Sequence, residues 1–572
     1  MKRILSVIAV SLIGLALSAQ TKITVSGTVL DENGQPLPGL TVLVENSTNG
    51  TITDADGKYT LKVNDNSVLV FDCLGYRQHK ELVAKRTVIN VSMEVDKNLL
   101  DEVVVVGYGT MKKSDLTGSV SSISSKHLEN FKTGDVATAL GGQIAGVSVT
   151  SADGAPGTGF NIIIRGIGTV NGDSSPLYIV DGFEVDNIDY LANQDIASIE
   201  VLKDASASAI YGARAANGVV LVTTKSGKEG KLTVSYNGSA TYRTLSQRLD
   251  ILSPYEYVRL QQDYDNATAS RYFKEGIDDE GNPYKYQTLE DYRGVKGINW
   301  QDLAFRNTWS QNHDVSVQGG VKNFQYATSF SHYDENGIFV NSGYTKSSAR
   351  MKFNYSLTKW LDMNVNVNYT QQKKYGMGTS GGVLRNIIGY RPTGGLKTSD
   401  DELINNAYDP DDENSYNDHF NPVAAAYTTD AVTKTRTWMG NGALTAKITK
   451  HLTFKSSWSY NEATSRKDDF YYADSQSAKK AGGAYGQTRI SINTNWSTSN
   501  VLTYNNKFRK AHKVTATLGQ EYSSRTQEYL TAQAKEFPLD VLGNNQLSYG
   551  TPSLAETSLS VKKRLSFFAR GF

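Results

Sequence analysis

The chain reads as mainly β, in three parts of different grain: a small β-sandwich, a compact αβ unit, and the strands of an antiparallel transmembrane β-barrel. Three observations carry that reading. Between residues 22 and 95 short apolar runs alternate with turns. Residues 198–225 join a strand, a run of small residues and a second strand. Beyond 227 long segments alternate apolar with polar side chains, as in Leu361-Asp-Met-Asn-Val-Asn-Val-Asn-Tyr369. That alternation suits a strand with lipid on one side and water on the other.

The amino terminus and the composition bound the class. Residues 1–19 have a basic start at Lys2 and Arg3, an apolar centre and small residues at Ala16, Ser18 and Ala19, the build of a secretory signal peptide. The apolar run is shorter than the roughly 20 residues of a spanning helix, and no cysteine follows it to carry a lipid. No later run approaches the roughly 18 apolar residues a membrane helix needs, which leaves a barrel, whose lipid face is hidden in alternate positions. A mean hydropathy of −0.41 alongside 33 Tyr, 18 Phe and 6 Trp fits that. Among 572 residues, enough for several domains, 59 basic side chains balance 58 acidic ones, so no global charge suits nucleic acid.

In the first part, apolar runs at 23–30, 40–44, 59–63, 68–71 and 88–93 are parted by turns such as Asp31-Glu-Asn-Gly34. Asp54-Ala-Asp56-Gly57 hints at a calcium loop, but the twelfth position is Asp65 and not Glu, and Asp with Gly serves a hairpin. No metal is assigned. Cys73 is the single cysteine, so no intramolecular disulfide forms; it sits in an apolar strand pattern and reads as an inert buried thiol.

In the αβ unit, Ile199, Val201 and Leu202 form one apolar run and Val219 to Val222 another; Ala205 to Ala209 are small and helix-compatible, and Gly218 stands where a positive φ is useful. With Ile164-Arg165-Gly166 and Pro176-Leu-Tyr-Ile-Val-Asp181-Gly182 upstream, this order of segments resembles the plug domain of TonB-dependent outer-membrane receptors, in their SusC/RagA subfamily. The resemblance covers most of the chain after residue 19. It implies a plug over 116–227 and a barrel over 228–572. Segments 27–39 and 53–59 resemble the carboxypeptidase regulatory-like domain that precedes such plugs, over 22–95, with no peptidase activity implied.

The same resemblance makes residues 101–110 look like a TonB box. Glu102, Val103, Val104, Val105, Val106, Gly107, Tyr108 and Gly109 would couple to a periplasmic TonB protein by strand addition, in which backbone hydrogen bonds supply the attachment. The residues alone also allow the last strand of the sandwich. For plug seating the resemblance implies Arg165, Gly166, Asp181 and Gly182, with Arg165 turned toward carboxylates of the barrel wall; the residues alone also allow a surface arginine at 165 and a turn joining two plug strands at Asp181-Gly182. It further implies outer-membrane lipid around the barrel, a periplasmic amino-terminal domain, a SusD-like surface lipoprotein as partner, and import of oligosaccharides or peptides, with glycan the first expectation.

About ten barrel strands are expected, near 231–244, 311–320, 324–335, 344–358, 361–374, 436–449, 452–467, 486–506, 511–530 and 558–571. Trp300, Trp309, Trp360 and Trp438 lie near their ends, as headgroup-level indoles or as loop anchors. The intervals 245–310 and 375–435 read as outer loops, and Asp409-Pro-Asp-Asp-Glu413 as solvated loop and not a calcium site. Ten strands close a circle about 20 Å across, too narrow for a plug of ~34 Å, whereas about 22 give ~44 Å. The expectation is therefore a C-terminally truncated or fragmentary reading frame lacking roughly a dozen strands.

No enzyme is expected. Gly378-Thr-Ser380-Gly-Gly382 fits Gly-x-Ser-x-Gly by letters but follows a barrel-like strand in a glycine-rich connector, not a strand opening a helix. The histidines form no compact zinc pattern, no phosphate-binding loop is present, and no cofactor is called for. The alternatives are a surface receptor or adhesin without transport, a non-functional fragment of a transporter, or a secreted β-rich enzyme.

Overall fold

Each short apolar run near the amino terminus presents one apolar side, so the strands close over those sides as two sheets. The computed structural model describes residues 22–571 apart from 33, 46, 48, 74–75, 77, 95–102, 107–108, 113–119, 129–130, 132–133, 152, 205–207, 378–381, 412–419 and 509–511. The expected signal segment, Glu102, Gly107, Tyr108 and Ser380 fall outside the described residues. Contacts divide the chain into two units, Met1–Thr117 and Gly118–Phe572.

In the first unit β1 (Lys22–Leu30), β2 (Thr41–Val44), β3 (Gly50–Ile52), β4 (Lys58–Asn64), β5 (Val68–Asp72), β6 (His79–Leu82) and β7 (Val91–Ser92) form sheets ordered β4-β1-β7 and β3-β2-β5-β6. Val25, Val29, Val42, Leu61, Leu69 and Phe71 fill the core, and Cys73 packs half-buried against it. The Asp54 carboxylate accepts the N–H groups of Asp56 (3.0 Å) and Lys58 (2.8 Å) ahead of Gly57 at φ 72°, which is turn chemistry. Downstream, β8 (Val103–Val106) pairs antiparallel with β9 (Gly109–Lys112) and, among the described residues, with neither sandwich sheet.

In the second unit β10 (Val120–Ser124), β11 (Val147–Ser151), β12 (Phe160–Ile164), β13 (Leu177–Val180), β14 (Phe183–Val185), β15 (Ile196–Leu202) and β16 (Val219–Thr224) build the αβ body. Five of them make one sheet, β10-β15-β16-β13-β14, while β11 and β12 form a separate ribbon. Ile123, Leu140, Ile162, Val180, Ile199 and Val220 lie in its core. Gly218 has φ 88°, and a Cβ there would stand 2.8 Å from Ile164 Cδ1. The small-residue helix is a 3₁₀ stretch, Ala209–Ala215, broken at Gly212 (φ 61°, ψ −149°).

The remaining strands are β17 (Gly230–Arg243), β18 (Thr308–Val321), β19 (Phe324–Asn336), β20 (Gly343–Ser356), β21 (Leu361–Tyr375), β22 (Thr429–Lys447), β23 (Leu452–Tyr471), β24 (Tyr485–Phe508), β25 (His512–Lys535) and β26 (Thr551–Gly571). They pair in sequence order as one ten-stranded antiparallel sheet with β17 and β26 outermost. Trp309, Phe330, Met351, Trp438, Leu530 and Phe567 are exposed on one face, whereas the opposite parity (Asp314, Lys346, Arg350, Asn368, Thr370, Ser459) is buried against the plug or its neighbours. The apolar-out, polar-in pleat is that of a membrane barrel wall, and no helix among the described residues is long and apolar enough to cross a membrane.

The intervals expected to be open loops are folded. Helices Pro254–Tyr264, Trp300–Ala304, Gly382–Gly389, Asp400–Asn405 and Pro422–Tyr427 arise there. Their starts are written locally: Ser253 with Glu256 and Ser399 with Glu402 form capping boxes. Trp300, Phe339, Ile387, Leu403 and Ala426 share one core, and Val258, Tyr272, Tyr286 and Tyr292 another. Trp300 is thus a loop anchor, its Nε1–H donated to the Arg391 carbonyl at 3.0 Å, while Trp309, Trp360 and Trp438 are exposed. The acidic run also departs from expectation. Asp409 (2.5 Å) and Asp411 (3.0 Å) are buried on the Arg391 guanidinium and not solvated, because a buried cation is stable only when paired; Asp412 and Glu413 lie outside the described residues.

Candidate functional site

Strand pleating puts residues of equal parity on one face. On β20 it turns Lys346, Ser348, Arg350 and Lys352 inward, while Met351 is exposed on the opposite face. Three cations in a dry interface are costly unless each finds acceptors, and the plug supplies them. Lys346 Nζ donates to the backbone carbonyls of Gly134 (3.0 Å), Asp189 (2.5 Å) and Leu191 (2.7 Å). Arg350 Nη2 donates to the Lys225 carbonyl (2.9 Å) and to Thr224 Oγ1. Lys352 Nζ donates to Asp181 Oδ1 (3.1 Å) and Thr224 Oγ1 (3.0 Å).

Asp181 is the hub of this latch. Asp181 and Gly182 take φ 51° and 91° in the turn from β13 to β14, so the turn expected from sequence is present. Its carboxylate accepts the Thr224 N–H (3.0 Å) and hydroxyl (2.5 Å), Lys352, and Asn366 Nδ2 of β21 (3.0 Å). Two plug strand ends and two wall strands thereby meet on one carboxylate. Burial acts to raise its pKa, but the Lys352 and Arg350 charges together with the Thr224 hydrogen bonds outweigh that and hold it below the usual range.

A second set of contacts lies across the sheet. Glu184 pairs with Arg564 of β26 (3.0 Å), Asp186 with Arg525 of β25 (3.1 Å), and Arg214 with Glu521 of β25 (3.3 Å). Between the two sets, Thr370 Oγ1 donates to the Tyr190 carbonyl (3.0 Å) and Lys374 Nζ to Thr158 Oγ1 (3.2 Å). Burial, then the neighbouring Asp135 charge, pushes the Asp189 carboxyl up to about 6, against the opposing pull of Lys346.

Arg165 does not take the wall position expected of it. β12 ends at Ile164, and the turn through Arg165 (φ 59°) and Gly166 (φ 93°) directs the guanidinium to Asp204 of the same plug, with the arginine side chain 55% exposed. In the β20 latch the charges are inverted: the wall carries the cations and the plug the carboxylate and carbonyls. The signal that would have found it is the parity of Lys346, Arg350 and Lys352, cations on the inward side of a strand whose exterior suits lipid. Val103 to Val106 and Gly109 form the β8–β9 hairpin.

Comparison with known proteins agrees with this architecture. Residues 112–219 match the TonB-dependent Receptor Plug Domain family and residues 25–105 the CarboxypepD_reg-like domain family. TonB-dependent receptor P26 of Formosa agariphila is 33% identical over 96% of this chain and 54% of its own length. TonB-dependent receptor SusC of Bacteroides thetaiotaomicron is 37% identical over 66% of this chain and 37% of its own. Among solved structures, the RagAB peptide importer in its open-open state superposes with a TM-score of 0.65 at 24% identity, over 82% of this chain and 54% of that one. The chain spans about half the length of the curated relatives P26 and P3.

Proposed function

The chain belongs to the SusC/RagA-type TonB-dependent receptors of the outer membrane, and from that premise we propose that it acts in plug-gated, TonB-energised import. The observation that carries the reading is the Asp181 latch, which holds a folded body against the polar face of a membrane sheet through buried charge. Such a body obstructs the space it fills until work is done on it. The outer membrane has no energy source of its own for that work, so a pull must arrive through the periplasm.

The coupling strand in this reading is Val103 to Val106, within residues 102–109. β8 belongs to a two-stranded ribbon, and such a ribbon can accept a further strand along its edge by main-chain hydrogen bonds. A SusD-like lipoprotein would close over the outer opening and deliver oligosaccharide or peptide, with glycan the first expectation. The periplasmic sandwich precedes the coupling strand. Replacing Val104 or Val105 with Pro removes a backbone donor from that strand. Uptake should fall while surface ligand binding persists; unchanged uptake by a correctly folded receptor would sink the assignment.

A further inference from the structure

The outward face of the sheet changes chemistry along each strand. On β21 the outward positions run from Leu361 through Val365 to Tyr369 and then turn polar at Gln371 and Lys373. At ~3.3 Å per residue and a tilt of ~40°, Leu361 to Tyr369 covers ~20 Å of membrane depth, near the ~25 Å apolar band of a barrel. Aromatic rings mark the upper limit of that band. Tyr369 and Trp438 of β22 stand with centroids 4.4 Å apart, Tyr460 of β23 faces Trp496 of β24, and Trp496 lies 5.0 Å from Tyr522 of β25. This girdle steps down the register from β21 to β25, as a level line must on tilted strands. It lies toward the long connection 376–428, whereas the turns 357–360 and 448–451 close the opposite end. Short turns face the periplasm and long connections the outside, so the girdle marks the headgroup level of the outer leaflet.

Directly above it, β21, β22 and β23 carry an outward row of cations. Register sets Lys373 opposite Lys434 and Lys434 opposite Arg466; the row beneath sets Gln371 opposite Arg436 and Arg436 opposite Thr464. Lys373, Lys434, Arg436 and Arg466 are all exposed. Like charges directly opposite one another destabilise a sheet, and here Lys434 has one on each side. The nearby carboxylates are engaged elsewhere. Asp468 accepts Arg466 Nε (2.9 Å) and the Thr488 hydroxyl (2.8 Å), and Glu462 accepts the Tyr460 hydroxyl (2.6 Å). Among the described residues Lys373, Lys434 and Arg436 have no acidic partner. The row is confined to these three strands, since its register passes to Thr345 and Asp334 on one side and to Ile490 and Leu530 on the other.

Height decides what such a row can meet. Arg436 is ~5 Å above Trp438 along the membrane normal, and Lys434 and Lys373 are ~10 Å above Trp438 and Tyr369. The headgroup layer of a bilayer is roughly 5–8 Å deep, and long basic side chains reach several ångströms from their own backbone. The cations therefore stand at the depth of headgroup phosphates, over an aromatic platform at the depth of the first acyl carbons.

We propose that Lys373, Lys434 and Arg436 bind a phosphorylated glycolipid of the outer leaflet, one molecule seated on the outward surface of β21–β23. Its phosphate bridges Lys373 and Lys434 and takes the Arg436 guanidinium through paired charge-assisted hydrogen bonds, which offsets the repulsion along the row. Gln371 and Thr464 flank Arg436 in register and supply partners for the hydroxyl or amide groups of the sugar. The acyl chains descend over Tyr369 and Trp438. The connection 376–428 joins the upper ends of β21 and β22, so the lipid clamps the strand pair from which the outer helices rise. The site requires only that the sheet stands in the outer membrane, and is independent of gated import.

The test applies native mass spectrometry to the full chain purified from outer membranes in mild detergent. The protein should retain a phosphorylated glycolipid, and the combined substitutions Lys373→Gln, Lys434→Gln and Arg436→Gln should lower its occupancy roughly tenfold or more. Arg436→Gln alone should lower it in the same direction and serves if the combined variant loses the protease protection of its plug. Lys434→Arg, which keeps the charge, should retain the lipid. So should Lys359→Gln with Lys450→Gln, which removes exposed cations from the short turns beside the same strands. Delipidated protein should regain bound mass and thermal stability with lipid A, and with neither lipid A stripped of phosphate nor inorganic phosphate. Unchanged occupancy in the folded cation variants, an equal loss in the short-turn variant, or equal binding of the phosphate-free lipid overturns the site. Binding of inorganic phosphate to the same extent overturns the lipid assignment in favour of a soluble anion.

Discussion

Asp181 and Arg165 are both charged plug residues in left-handed turns, yet their environments give them opposite weight. Asp181 and Lys352 are each 12% exposed at the side chain. Asp181→Asn removes the charge that offsets Lys352 and Arg350, and breaking such a buried pair costs roughly 3–5 kcal/mol. Conductance of the closed protein, or cell sensitivity to bulky antibiotics, should rise. Arg165→Ala breaks a half-exposed pair worth about 1 kcal/mol or less, and both readouts should stay near wild type; a leak as large as that of Asp181→Asn would return the seating role to Arg165. Asp189 adds a pH dependence of definite sign. Its seated pKa of about 6 lies above the ordinary carboxylate value, so the seated plug binds the extra proton. The stability it contributes is complete below about pH 4 and is lost as pH rises through 6. Protease protection of the plug should be stronger at pH 5 than at 7.5, and Asp189→Asn should flatten that difference.

At the scale of elements, the sheet of the plug depends on one tight passage. Gly218 enters β16 at φ 88° with Ile164 Cδ1 2.8 Å and the Leu202 carbonyl oxygen 3.2 Å from where a Cβ would stand. Gly218→Ala therefore meets backbone strain of roughly 1–3 kcal/mol together with a clash against β12 and β15. Amide exchange in β15 and β16 should quicken while β1 to β7, in the other unit, keep their protection. Equal protection in the two proteins would show that the turn relaxes freely. The outer connections illustrate the same link between local signal and packing. Their helices begin where Ser253–Glu256 and Ser399–Glu402 cap them, but the Tyr272–Tyr292 and Trp300–Tyr390 contacts that hold them join residues far apart in the chain.

For the molecule as a whole, the two faces of the ten-stranded sheet define its solvent. Phe330 lies mid-strand on β19, 52% exposed, on the face opposite the plug. An arginine on the lipid face near the bilayer midplane costs roughly 2–4 kcal/mol. Phe330→Arg should lower the amount of protein recovered in the outer-membrane fraction, whereas the inward Ser459→Ala should alter it little; equal recovery of Phe330→Arg would mean that this face of β19 is not in lipid.

Alternation along consecutive residues was enough to read the mainly β class, five of the seven sandwich strands and all ten long strands, since side-chain parity is a local property of a pleated chain. The segment order around Arg165-Gly166 and Asp181-Gly182 carried the family for the same reason: its turns are written in adjacent residues. What the sequence left undecided was which inward groups meet. Asp181 and Lys352 stand 171 positions apart, and their contact depends on how strand stagger and the seating of the plug bring two separate parities together. The same holds for Arg391 with Asp409 and for the folded loops, where composition reads as solvated and burial says otherwise. Local pattern determined what each strand can face; tertiary structure alone decided which charge it faces, because a buried ion's partner is selected by three-dimensional proximity and desolvation, neither of which is encoded at any single position.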